Sequence, residues 1–227
     1  MITRPKVWVT ELAGRFWAEV GDPPPFPRDL RTVACWLTDL EVQEVAGLTL
    51  ASAAERFQRE GIPATAPPID RALHGCFGAF RERGLVLIDP NDAPDQLRFT
   101  FAHELAHFLH DYRQPRRAAV VRFGPSILEV LDGDRPATFT ERLAGALRNV
   151  PLGAHAHFLE RDTWGRVTDE RAHEAERAAD RLAFELLAPF DAVAPEGVAR
   201  PALVARLISA FGLPPACATQ YAALLLR

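Results

Sequence analysis

Phe101-Ala102-His103-Glu104-Leu105-Ala106-His107-Phe108-Leu109-His110-Asp111-Tyr112 is the stretch on which the reading of this chain turns. It contains the motif H-E-x-x-H. In a helix, residues i and i+4 lie on one face about one turn apart. His103 and His107 can then reach one Zn²⁺ at about 2.0–2.1 Å. Glu104 sits about 100° further round, beside that face rather than on it. From there it can hold a metal-bound water and take its proton. Phe99, Phe101, Leu105 and Phe108 give the helix apolar companions that bury it against a core. A catalytic zinc needs a third protein ligand and an open water position. His110 shares the face but lies about 10.5 Å from His103 along the axis, too far to join the same ion. Its reading stays open between a supporting or substrate-side role and surface packing.

The rest of the chain suits a globular protein. Its 227 residues can bury a sizeable core without disulfides. Cys35, Cys76 and Cys217 are few, odd in number and far apart, which fits a reducing compartment and argues against a cysteine-ligated zinc. The net charge of −4 gives no field toward nucleic acid or anionic membrane. No signal peptide and no run near the roughly 20 apolar residues of a membrane span is present. The expected location is the cytoplasm, away from membranes.

Working outward, residues 8–20 and 28–38 read as helices, separated by the proline cluster Pro23-Pro24-Pro25. Residues 41–45 read as a short strand. Thr49 or Ser52 caps a helix reaching Gln58, stopped by Gly61. Cys76–Phe80 and Leu85–Ile88 form a hairpin around Arg81-Glu82-Arg83-Gly84. The motif helix runs from about Pro94 to Tyr112. A helix is expected near Thr138–Arg148, a strand at Ala154–Glu160, a Trp164-Gly165 turn, and a long helix over roughly 168–188. Helices over about 200–211 and 214–226 close the chain.

On the long helix, Glu176, Asp180, Ala183 and Leu187 form one stripe at helical spacing. Such a stripe suits packing against the motif helix, with Asp180 orienting a ligand imidazole through its free N–H. Glu176 and Asp180 read equally well as solvated charges beside Arg177 and Arg181. His155 and His157 share one face of the expected strand, either as a surplus metal pair or as an exposed or supporting pair.

Phe99-Thr100-Phe101-Ala102-His103-Glu104-Leu105-Ala106-His107-Phe108-Leu109-His110, with Glu176-x-x-Ala179-Asp180-x-Leu182-Ala183-x-x-Leu186-Leu187-x-Pro189, resembles the ImmA/IrrE family of metallopeptidases. The resemblance covers roughly residues 70–190. It implies zinc ligands His103, His107 and Glu176, with Glu104 as catalytic base. It implies a core similar to the thermolysin-like zincins, whose sheet edge can hold an extended peptide by strand addition. It also implies a protein substrate, a helix-turn-helix transcriptional repressor whose loss releases stress-response or mobile-element genes. The stretch between His107 and Glu176 is longer than in compact family members, so 113–170 reads as an insertion that covers the cleft or recognises a partner.

The C-terminus resembles a degenerate helix-turn-helix. Its second helix offers only Gln220, Tyr221 and Arg227 as polar reach, without a basic cluster for phosphates, which argues against direct DNA binding. The expected fold class is α+β: a mainly helical zincin-like domain with a small antiparallel sheet and a helix-turn-helix-like C-terminal element. The expected layout is an N-terminal helical region (1–69), a peptidase core (70–190, with the insertion at 113–170) and C-terminal helices (191–227). The expected activity is zinc-dependent endopeptidase. Two other classes remain: a non-catalytic antirepressor that sequesters a repressor, and a DNA-binding regulator. An intact Glu104 favours the enzyme, because a structural zinc needs no base beside it.

Overall fold

The motif helix and the hairpin before it lie at the centre of the structure, a computed structural model describing residues 2–34, 36–66, 68–143, 150–156 and 170–226. The chain opens with α1 (Val7–Val20) and the single turn α2 (Arg31–Ala34). Then come β1 (Leu40–Glu44), α3 (Leu50–Arg59), β2 (Gly75–Phe80), β3 (Arg83–Ile88) and α4 (Pro94–His107). A π-helical turn, Phe108–Arg113, joins α4 directly to α5 (Gln114–Phe123). A 3-10 turn (Pro125–Ile127) leads to α6 (Leu128–Leu131) and α7 (Phe139–Leu143). The remaining elements are β4 (His155–Ala156), α8 (Glu170–Leu187), α9 (Phe190–Val193), α10 (Arg200–Ser209) and α11 (Pro215–Leu225).

The sheet has strand order β1-β3-β2-β4. It is mixed, and the expectation of a purely antiparallel sheet is corrected. β2 pairs antiparallel with both β3 and β4, but β1 pairs with β3 in parallel, Val42 opposite Val86. The physical reason is α3. It carries the chain away from β1 before the hairpin begins, and such a crossover is what parallel neighbours require. Thr49 caps α3 in a reciprocal box with Ser52, so both proposed capping residues take part.

Both faces of the sheet are covered, and alternation decides which residues face which helix. Cys76, Leu85 and Leu87 pack with Phe57 of α3. Phe77, Ala79, Val86 and Ile88 pack with Phe101, Leu105 and Phe108 on the other side. Each such fully buried Leu or Phe contributes about 1.5–3 kcal/mol. The hairpin turn is Arg81-Glu82, both at positive φ, and not the longer stretch ending in Gly84. Gly84 lies within β3, where a Cβ would meet the Phe108 ring at 2.6 Å. That glycine serves a close helix–sheet approach rather than the turn.

α8 packs along α4. Ala102 and Ala106 of α4 and Ala179 and Ala183 of α8 are buried in one core, and their small side chains let the two helices approach closely. α1 buries Leu12, Phe16 and Val20 in the same core. Behind α4, Ala119, Ile127, Val130 and Leu131 form a separate small cluster within the long segment between His107 and Glu176.

Other boundaries differ from expectation. Residues 28–38 hold one helical turn, because Asp29 takes both the Arg31 N–H and its guanidinium, and the chain soon turns into β1. The motif helix does not stop at Tyr112 but continues to Gly124, whose positive φ ends it. The helix expected over 138–148 and the strand over 154–160 are seen as Phe139–Leu143 and His155–Ala156, while 144–148 and 157–160 lie outside the described residues. His157, the Trp164-Gly165 turn and Arg227 lie outside them.

Candidate metal centre

His103 and His107 project from one face of α4 toward α8, as their spacing requires. Their Nε2 atoms are 3.1 Å apart. Glu176 of α8 brings one carboxylate oxygen to 3.5 Å from His103 Nε2 and the other to 3.2 Å from His107 Nε2. The three ligand atoms lie within 4.8 Å of one another. His107 is fully buried, its ring stacked on Phe77 at 6.1 Å and 11°. His103 and Glu176 remain partly exposed, at 16% and 25%, so the centre opens to solvent on the α8 side.

The two Nδ1 atoms are spoken for. His103 Nδ1 lies 3.1 Å from Asp180 Oδ1, and His107 Nδ1 lies 2.6 Å from Asp111 Oδ2. A carboxylate only accepts, so each Nδ1 carries the proton. Both neutral imidazoles therefore aim Nε2 lone pairs at each other and at the Glu176 carboxylate. Such a convergence of electron pairs is stable only around positive charge. Without a metal that charge must be protons, and the electrostatics agree. Burial alone would lower the His103 pKa, but hydrogen bonds to Asp180 and Glu176 raise it to about 10. His107 is opposed by burial in the same way and raised by Asp111 and Glu176. Asp111 resists burial and is held well below the usual carboxylate range by His107 and His110.

Glu104 is buried next to this group, and its Oε2 has no hydrogen-bond partner among the described residues. A buried carboxylate oxygen without a donor is costly unless something else occupies its lone pair. A water held beside a cation would do so. Gly75 of β2 makes the position possible: a Cβ there would sit 2.5 Å from Thr100 Cγ2 and 3.4 Å from Glu104 Cγ. Two imidazole nitrogens, one carboxylate and a neighbouring unpartnered carboxylate fit a divalent cation that keeps one position for water.

The sequence-derived candidates His103, Glu104, His107 and Glu176 are thus brought together, with Asp180 behind His103. Asp111 and Gly75 were missed. The i,i+4 spacing of His107 and Asp111 is the signal that could have found the first. Gly75 carries no local signal, because its role depends on where α4 passes. His155 lies on β4 opposite Ala79, on the α4 side of the sheet, with its ring 5.3 Å from Phe77. Of the polar side chains on the second C-terminal helix, Tyr221 is buried, and Gln220, though exposed, reaches the peptidase core. Gln220 Nε2 donates to Asp180 Oδ2 at 2.7 Å, and the Tyr221 hydroxyl donates to the Ala188 carbonyl at 3.0 Å.

Residues 57–130, from α3 through the hairpin, α4 and α5 to α6, match the family model of the IrrE N-terminal-like domain. Over that stretch the chain is similar to the ImmA/IrrE family, which supports membership of it. The match carries a metallopeptidase-type domain and includes His103, Glu104 and His107, while Glu176 lies beyond it. No curated protein and no solved structure matches the chain. Among the described residues, no helix is long and apolar enough to cross a membrane.

Proposed function

We propose that this ImmA/IrrE-like chain is a zinc-dependent endopeptidase that cleaves a regulatory protein, a helix-turn-helix repressor being the expected substrate. One observation carries the reading: a buried, unpartnered Glu104 oxygen beside the converging His103, His107 and Glu176. A binding module needs ligands but has no use for a buried base.

A zinc ion held by these three residues would supply Lewis acidity and a water that loses its proton near neutral pH. Glu104 accepts that proton and delivers it to the departing amine nitrogen. Asp180 keeps the His103 imidazole turned with Nε2 toward the ion. Phe77 and Phe99 shield the ligand rings from bulk water, which strengthens each of these interactions. Strand addition remains the simplest mode for holding an extended peptide. The outer edge of β2 is already paired with β4 at Gly78 and Ala79, so the long segment after α4 shapes the place where a partner docks.

The test separates enzyme from sequestering antirepressor. Glu104→Gln keeps size and fold but cannot accept the proton at neutral pH. It should retain metal and partner binding and lose cleavage by about 10²–10⁴-fold. If Glu104→Gln relieves repression in cells as well as the parent does, sequestration is the mechanism instead.

A further inference from the structure

One side of the metal centre carries a chain of polar contacts that the reaction above leaves unused. Asp111 holds His107 Nδ1 with Oδ2 at 2.6 Å, and its Oδ1 takes His110 Nδ1 at 2.5 Å. The His110 ring in turn rests on Trp8 of α1, with centroids 4.5 Å apart and planes at 41°. Both oxygens of one carboxylate are thus occupied by imidazole N–H groups. One imidazole is a ligand candidate buried in the core, and the other is about a third exposed.

The backbone is built for this contact. A straight α-helix would carry residue 111 about 40° round from His107. The helix also widens into a π turn over Phe108–Arg113, immediately after His107. Single π turns inside α-helices have poorer packing and recur where function needs a side chain re-aimed. The turn is pinned from outside: Arg113 pairs with Glu19 of α1 and with Asp39 before β1. Trp8 and Glu19 both belong to α1, so that helix braces the turn at two points.

We infer that Asp111 and His110 are positioning residues for the metal: Asp111 fixes the orientation and tautomer of His107, and His110 acts only through Asp111 by holding its second oxygen. This inference rests on the proposed metal centre. It also resolves the open reading of His110, which is neither a ligand nor a free surface group. Carboxylates behind ligand histidines are typically worth about 10–100-fold in metal affinity. Asp180 serves His103 in the same way from α8, so each ligand imidazole has its own acid from a different element.

The experiment measures Co²⁺ and Zn²⁺ affinity by competition with a coloured chelator, on the full chain, and records the Co²⁺ absorption spectrum. Asp111→Ala should weaken binding by about 10–100-fold and alter the spectrum. Asp111→Asn, which still accepts a hydrogen bond, should recover part of the loss. His110→Ala should weaken binding less, and the Asp111→Ala/His110→Ala double variant should be no weaker than Asp111→Ala alone. Circular dichroism of each metal-free variant checks the fold. If a well-folded Asp111→Ala binds within twofold of the parent, the inference is wrong while the metal centre stands. Additive losses in the double variant would overturn the role given to His110. If the parent itself binds neither ion, the metal centre fails and this inference with it.

Discussion

The proposed third ligand is the residue whose assignment separates the readings of this site most sharply. Glu176 faces the two imidazoles, whereas Glu174, two residues earlier, is exposed. Glu176→Ala should lower metal affinity steeply and Glu174→Ala should leave it unchanged, as read by metal content after dialysis. The reverse result would move the register of α8. His103 gives a second prediction at this scale. Its ordinary value is 6.5, and its folded surroundings raise it to about 10. A group that binds its proton more tightly when folded stabilises the fold fully below its ordinary value. That contribution is lost as the pH climbs through about 10. The metal-free protein should therefore lose stability from pH 6.5 to 10, seen as a falling denaturant midpoint. Metal competes for the same site as the proton, so its apparent affinity should rise over that window. An affinity that stays flat there contradicts the proposed geometry. The H-E-x-x-H letters made His103, Glu104 and His107 legible, because one helical period sets their mutual placement. Asp111 stands at the same i,i+4 spacing from His107, but one acid beside a histidine is too common on helix faces to single it out.

Among the elements, the hairpin was readable and its turn was not. Two apolar runs announce β2 and β3, but the turn uses Arg81 and Glu82 at positive φ, where glycine or asparagine would be the signal. The glycine that drew attention, Gly84, is needed because α4 crosses β3 so closely. Gly84→Ala should destabilise the protein by about 1–3 kcal/mol through overpacking against Phe108. Thermal melts would show it; an unchanged midpoint would mean that the helix and sheet can separate freely. Gly75→Ala tests the same crossing nearer the chemistry. It should push on Thr100 and Glu104, the proposed base rather than a ligand, and so reduce cleavage more than metal binding. Neither effect could be read from sequence, because both depend on two elements meeting in space. The parallel pairing of β1 was hidden for the same reason.

At the scale of the whole molecule, the stripe Glu176, Asp180, Ala183 and Leu187 was the most informative long-range signal. It joins α8 to α4 across the long segment between them, as the packing shows. What happens in that segment was only partly legible. Its small core of Ala119, Ile127, Val130 and Leu131 has no strong periodicity to advertise it. Leu131→Ala should cost about 2–5 kcal/mol if that cluster unfolds together with the rest. A separate early transition in a denaturation curve would show instead that it melts on its own. The C-terminal pair α10 and α11 was legible as helices that pack on the core rather than read DNA, but the side chains that make the contact were not. Gln220 reaches Asp180, and Tyr221 stacks on Phe184 at 4.5 Å.

The close contact of α4 with α8 has a consequence for how the protein keeps its shape. Two histidines from one helix and a glutamate from another can be clasped by a single ion, and the unfolded chain offers no comparable grip. Every increment of binding energy is then also an increment of folding energy. Free metal at about 100 times its dissociation constant adds about 2.7 kcal/mol to the folded state. The melting temperature should therefore climb with the logarithm of free zinc, and chelation should lower it. Under the proposed function, the folded fraction would follow the supply of free metal, and scarcity would loosen the site before any catalysis is asked of it.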